Sequence, residues 1–202
     1  MKPTLIVMVK EPRPGRVKTR LARDIGTVAA KWWFHHQSAR LLRRLRDPRW
    51  HLVLAVSPDR AATASRVWPA DLLRLPQGGG TLGDRMARMM RAAAPGAVCV
   101  IGADIPGITR PAIWRAFRAL GPADAVFGPA EDGGYWLVGI RNAAQAPATL
   151  FDGVRWSTEH ALADTIASLP GRRTALIDSL VDVDTVADLR RADPSQPHAP
   201  DH

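Results

Sequence analysis

A chain of 202 residues, 46% of them hydrophobic, is long enough to bury one sizeable core, and one domain is expected. The single cysteine, Cys99, excludes a disulfide framework and a clustered-cysteine metal site, and the first apolar stretch, residues 5–9, is too short for a signal-peptide core or a membrane span, so a cytoplasmic protein with no membrane partner is expected. The net charge of +9 is concentrated, with 13 Lys/Arg against 3 Asp/Glu in residues 1–50 and 15 against 16 in the remainder, which points to a local anionic partner, phosphate first.

Leu5, Ile6, Val7, Met8 and Val9 form a continuous apolar run that stops at Lys10, Glu11 and Pro12, the pattern of a central strand buried on both faces. Beyond the basic stretch that follows, Gly26 and Thr27 open a helix to about Leu45, with Thr27 as cap, Phe34, Leu41 and Leu45 inward and Arg40, Arg43 and Arg44 outward. Residues 51–56 form the next expected strand, 72–75 a weaker one and 97–101 a third strong apolar run. Between the last two, Thr81 and Asp84 have capping-box spacing, with Asp in the usual Glu position. Leu82, Met86, Met89, Met90 and Ala93 then recur at helical spacing as a core stripe. Thr109 caps a helix over 110–120 that tolerates Pro111 in its first turn. Residues 125–128 and 136–140 read as strands, a helix covers 158–169 after Ser157, and a last helix begins near Thr185. The Pro-rich polar stretch 193–202 is expected to be a disordered tail behind a domain spanning 1–192.

Strands alternating with helices predict a single-domain three-layer α/β/α fold around a mostly parallel central sheet. Ligands bind such sheets beyond the carboxyl ends of the strands, so the loops after Val9, after Ile101 and before Trp136 should meet. The first, residues 10–20, packs five cations and one acid into eleven residues, with Pro12 and Pro14 restricting the backbone and Gly15 free to approach a ligand. Backbone N–H groups and cationic side chains in such a loop can neutralise a nucleotide's pyrophosphate. The Walker A spacing is absent, and a basic surface loop is the competing reading.

In the second loop Asp104 lies just past a buried strand, where a carboxylate can hold Mg²⁺ or Mn²⁺ and bridge it to phosphates, or can simply turn the chain into Pro106 and Gly107. In the third, Glu131 and Asp132 precede Gly133 and Gly134. There Asp132 can orient an acceptor hydroxyl, act as a base or assist the metal, although a plain hairpin turn uses the same residues. Asp182 and Asp184 share a face of an extended chain; Asp184 is a candidate second metal ligand, with capping alongside Thr185 and Asp188 as the alternative. His35, His36 and His160 lack metal-ligand spacing, Ser157 lacks a nucleophile-elbow setting, and the scattered tryptophans make no base-stacking platform, so a nucleic-acid partner is not expected.

Six motifs in order carry a family resemblance: Lys10-x-Pro12-x-Pro14-Gly15-x-Val17-Lys18-Thr19-Arg20-Leu21, Gln77-Gly78-x-Gly80-x-Leu82-Gly83-x-Arg85-Met86, Gly102-x-Asp104-x-Pro106, Gly128-Pro129-x-x-Asp132-Gly133-Gly134-Tyr135, Trp156-Ser157-Thr158 and Asp182-x-Asp184-Thr185. Over about residues 4–190 the chain resembles the DUF2064 family of GT-A-like proteins, also described as glycosyltransferases associated with arsenosugar-type biosynthesis. The resemblance implies a nucleotide-diphospho-sugar transferase fold, related to nucleotidyltransferases that act on phosphorylated or acidic acceptors. It also implies phosphate binding by the loop after the first strand and metal binding by an Asp after a central strand, here Asp104. Thr81 departs from the Asp common in the family, although either residue caps a helix.

Motifs and resemblance together nominate Lys18, Arg20 and Asp132 as catalytic. Lys10, Pro14, Gly15, Lys18, Arg20, Gln77, Gly78, Gly102, Gly133 and Gly134 are nominated as donor-binding, and Asp104 and Asp184 as metal ligands. The expected activity is glycosyl transfer from a nucleotide sugar to a small-molecule acceptor with Mg²⁺ or Mn²⁺. The alternatives are nucleotidyl transfer releasing pyrophosphate and a non-catalytic nucleotide- or nucleic-acid-binding module. The pattern assigns no oligomeric state.

Overall fold

The run at residues 5–9 becomes a strand apolar at every position because helices cover both of its faces. Leu5, Val7 and Val9 pack with Phe34, Leu41 and Phe117 on one side, and Ile6 joins Met86 and Met90 on the other. In chain order the elements are β1 (Thr4–Lys10), α1 (Leu21–Ile25), α2 (Thr27–Arg44), β2 (His51–Ser57), α3 (Arg60–Ala64), β3 (Leu73–Pro76), α4 (Leu82–Ala92), β4 (Val98–Gly102), α5 (Arg110–Ala119), β5 (Ala125–Pro129), β6 (Tyr135–Ile140), a 3-10 turn at Ala143–Gln145, α6 (Ala161–Ala167) and β7 (Thr174–Leu176). This computed structural model describes residues 1–93, 95–180, 185, 188 and 189. The expected tail 193–202, and Asp182 and Asp184, lie outside the described residues.

The strands form one seven-stranded sheet in the order β3-β2-β1-β4-β6-β5-β7. β1 pairs in parallel with β2 and β4, β2 with β3, and β5 with β7, whereas β6 runs antiparallel to both β4 and β5. The expected α/β architecture with a mostly parallel sheet is therefore present. The reversal of β6 brings its start, with the loop that precedes it, to the edge where the parallel strands end. Cys99 is fully buried in β4, with its Sγ 2.7 Å from where a Cβ on Gly139 would lie, and burial pushes its thiol pKa up.

Three expected capping arrangements are present. Thr81 and Asp84 exchange their hydrogen bonds across the first turn of α4, and Thr109 Oγ1 accepts from Ala112 N at 3.3 Å. Thr185 and Asp188 make the same reciprocal bonds, 2.9 Å from Thr185 N to Asp188 Oδ2 and 3.3 Å from Asp188 N to Thr185 Oγ1. Thr27, in contrast, is the first helical residue and not the cap. Gly26, at φ +84°, ends α1 and starts α2 at once, a junction too tight for a side-chain cap. The helix expected at 158–169 begins at Ala161, because Thr158 Oγ1 donates to Arg155 O at 2.7 Å and holds the preceding residues in a turn. Arg44 is not outward: it is half-buried and donates to the carbonyls of Pro106 and Ile108 at 2.7 and 2.9 Å. Among the described residues no helix is long and apolar enough to cross a membrane.

Candidate functional site

The site is built at the carboxyl edge of the parallel strands. The basic loop leaves β1 beside β2, where Glu11 N donates to Ser57 O at 2.7 Å, and it is anchored by Val17, which is buried in the core. Lys10, Pro14, Gly15 and Arg20 are exposed, Gly15 at φ +71°, so the loop presents both backbone and cations to solvent. Lys18 differs. Its side chain is only 5% exposed, its backbone is left-handed at φ +45°, and its Nζ lies 2.8 Å from Asp104 Oδ2. This ion pair joins the loops after β1 and β4. Gly102 lets the Asp104 carboxylate fold back over the strand end, since a Cβ there would sit 2.9 Å from Asp104 Oδ1.

Arg44 reaches this pair indirectly, because the carbonyls it holds belong to the turn that directly follows Asp104. Burial lowers the Arg44 pKa, and nearby Arg40 adds to the effect. Sequence reasoning missed Arg44. Its position on the helix marks it as solvent-facing, and only the approach of residues 106–108 gives it acceptors.

Gln77 is buried, and its amide donates to Val9 O at 3.1 Å and Ala55 O at 2.8 Å, tying together the ends of β1 and β2. Gly78 follows at φ +76° and donates its N–H to Asp59 Oδ1 at 2.9 Å. These two residues form the frame next to the basic loop.

Asp132, Gly133 and Gly134 form the tip of the β5–β6 hairpin. Gly134 N donates to Asp132 Oδ1 at 3.0 Å, and the Asp132 side chain is exposed at the rim of a cleft of about 260 Å³. Gly102 and Gly134 also line this cleft, so the loops after β4 and before β6 meet there. Gly133, at φ +81°, docks the tip on the following segment: Leu162 N donates to its carbonyl, and a Cβ would strike Glu159 O at 2.2 Å. Here glycine serves a backbone-to-backbone contact.

The far wall of the cleft is aromatic and was not foreseen as a site. Tyr135 packs edge-on to Phe127 and Trp156, and Trp156 packs on Phe151 and against Gly83 of α4, where a Cβ would lie 3.0 Å from the indole. The Tyr135 hydroxyl accepts from Thr165 Oγ1 at 3.3 Å, and burial pushes its pKa up, so it stays neutral. Leu82, expected in the core stripe, is instead 46% exposed and forms a wall of the cleft, because it sits at the start of α4, beyond the sheet edge. Met86, Met89 and Met90 further along the helix are buried as expected. The Trp156-Ser157-Thr158 motif was the available signal for this wall.

Comparisons with known proteins bear on the family and the fold. Residues 41–158 match the family described as an uncharacterized protein conserved in bacteria, DUF2064. A candidate nucleotide-diphospho-sugar transferase from Desulfovibrio desulfuricans G20 is 30% identical, with a TM-score of 0.82 over 94% of this chain and 85% of that one. The 4-diphosphocytidyl-2C-methyl-D-erythritol synthase of Anaerococcus prevotii DSM 20548 is 9% identical, with a TM-score of 0.61 over 95% and 97% of the two chains. A manganese complex of Rv0371c from Mycobacterium tuberculosis H37Rv is 18% identical, with a TM-score of 0.52 over 97% and 100%. The last two likenesses establish the fold alone. No match was found among curated proteins.

Proposed function

Because the chain belongs to the DUF2064 family, we propose that it is a metal-dependent transferase that moves a glycosyl group from a nucleotide sugar to a small-molecule acceptor. The observation that carries this reading is the ion pair between Lys18 and Asp104. A lysine whose side chain is 5% exposed cannot swing into solvent, so its charge is fixed before the donor arrives, as electrostatic stabilisation of a leaving diphosphate requires. The exposed cations of residues 10–20 supply the remaining countercharge, with Arg20 two residues after Lys18. Asp132, at the cleft rim, takes the proton of the attacking hydroxyl.

Asp104 offers one carboxylate to a metal, and among the described residues no three His, Cys, Asp or Glu gather into a group that could hold one. Such a donor set fits Mg²⁺ or Mn²⁺, which can keep water ligands and take others from substrate phosphates; Asp184 is proposed as the second carboxylate. Bound there, the cation would neutralise charge developing on the diphosphate. The manganese held by one fold relative is compatible with this choice.

A second reading, nucleotidyl transfer, is favoured by the cation density of residues 10–20, which suits a triphosphate whose pyrophosphate departs. The two are separated by incubating the chain with Mg²⁺ and either nucleotide sugars or nucleoside triphosphates. Nucleoside diphosphate release, lost in Asp104→Ala, supports the first reading, and pyrophosphate release supports the second. Release of neither, with salt-sensitive nucleic-acid binding indifferent to Asp104→Ala, would leave only a binding module.

A further inference from the structure

The cleft beside Asp132 has a chemistry unlike the rest of this chain. Twenty-four arginines and four lysines make the protein strongly basic, yet among the described residues the cleft is lined by no Lys, Arg or His. Its body is Met8, Met86, Val100 and Val138, closed by Tyr135 and Trp156. Among the described residues Asp132 is its only acidic one, and burial pushes the pKa of Tyr135 up further. Ser157, at a left-handed φ of +60°, stands at the same rim as Asp132, a strained non-glycine position of the kind that gathers at ligand sites.

Size and charge narrow the occupant. A dry apolar cavity of about 150 Å³ holds one benzene ring, so the 260 Å³ present here accept one ring with a short substituent. A whole nucleotide sugar would project well beyond the open cleft, and its phosphates would meet no cation among the described lining residues. A phosphorylated or carboxylate acceptor meets the same obstacle, because burying an anion without a partner is costly, and Asp132 at the mouth would repel it.

We propose that this cleft is the acceptor subsite and that the acceptor is a small uncharged alcohol with an apolar, ring-sized body. The inference rests on the glycosyl-transfer reading above. The acceptor's hydroxyl oxygen forms a bond to the anomeric carbon of the nucleotide sugar. The bond from that carbon to the diphosphate oxygen breaks, its electron pair leaving with the nucleoside diphosphate, and the hydroxyl proton passes to Asp132. The apolar body is held by shape and by water exclusion, and the diphosphate stays outside, at Lys18.

The test uses the full chain and ligand-observed saturation-transfer NMR with benzyl alcohol, benzyl phosphate and a free nucleoside, alongside thermal shifts with Mg²⁺ and nucleotide sugars. Benzyl alcohol is expected to bind saturably and benzyl phosphate at least about ten-fold more weakly. Ala161→Leu, which places a larger side chain in the cleft wall, should abolish alcohol binding while leaving the nucleotide shift in place. The comparison of the two benzyl probes in the unaltered chain needs no variant to fold. Equal binding of benzyl phosphate, displacement of the alcohol by the nucleoside, or no saturable alcohol binding beside an intact nucleotide shift would each overturn the assignment. Alcohol binding with no nucleotide shift for any donor would instead sink the transferase reading while keeping the chemical class of the cleft.

Discussion

Lys18 combines two costs that only a built site sustains: a side chain 5% exposed and a left-handed backbone, worth about 1–2 kcal/mol for a non-glycine residue. Val17 in the core and the bond from Ala22 N to Lys18 O hold it there. Asp104→Asn removes a charge that Lys18 pairs with, and it should lower stability by about 1–3 kcal/mol in urea unfolding. The same variant should lose most of the metal-dependent thermal shift with nucleotide. A stability loss with an unchanged nucleotide shift would mark the pair as structural. Both partners were legible in the sequence, Lys18 from the density of charge around it and Asp104 from its place after a buried strand. Leu82 was not, because helical spacing alone cannot tell a core position from one that overhangs the sheet edge.

Between neighbouring elements, the site is held by side chains that never face a substrate. Arg44, near the end of α2, satisfies two carbonyls of the loop after β4. Arg44→Ala should cost about 1–3 kcal/mol, since it leaves half-buried acceptors unpaired. Displacement of Asp104 should also reduce turnover by more than the stability loss explains, as judged from kcat at a temperature where both chains are folded.

On the opposite side, Asp164 of α6 receives three bonds from Arg155, at 3.0, 2.9 and 2.9 Å, and so presents Trp156 to the cleft. The Arg155 guanidinium, with its backbone N–H, lowers the Asp164 pKa from 3.8 to about 2. A depressed carboxylate stabilises the fold fully above its unfolded value and loses that contribution as pH falls through its folded value. Unfolding measured from pH 4 down to pH 2 should therefore show declining stability, with a shallower decline in Asp164→Asn. Asp47, drawn to about 2 by Arg49, keeps part of the slope in that variant.

At the scale of the whole molecule, charge and apolar surface are sorted to different parts of one edge, the cations on the loop after β1 and the largely apolar cleft under the β5–β6 hairpin. Nucleotide binding should accordingly weaken as salt rises from 50 to 500 mM, because the Debye length at 0.1 M is about 10 Å and Lys10, Arg13, Arg16 and Arg20 are exposed. Benzyl alcohol binding should stay flat over the same range, as titrations at a series of salt concentrations would show. The alternation of strands and helices was enough to read the parallel sheet, because β1, β2 and β4 are apolar runs long enough to stand out. β7, Thr174–Leu176, was not legible: three residues at an edge carry too little pattern. The cleft was invisible for a different reason, since its walls come from segments as distant as Met8 and Ala161 and only the folded sheet assembles them.

Cys99 gives that assembly a built-in clock. Its sulfur is sealed in β4, the middle strand of the sheet, in the core layer it shares with Phe117 and Leu120, so a thiol-reactive dye added to the intact protein has nothing to attack until this layer opens. With one cysteine in the chain, the labelling rate at increasing denaturant reports how often the middle of the sheet opens, with no background from any other thiol.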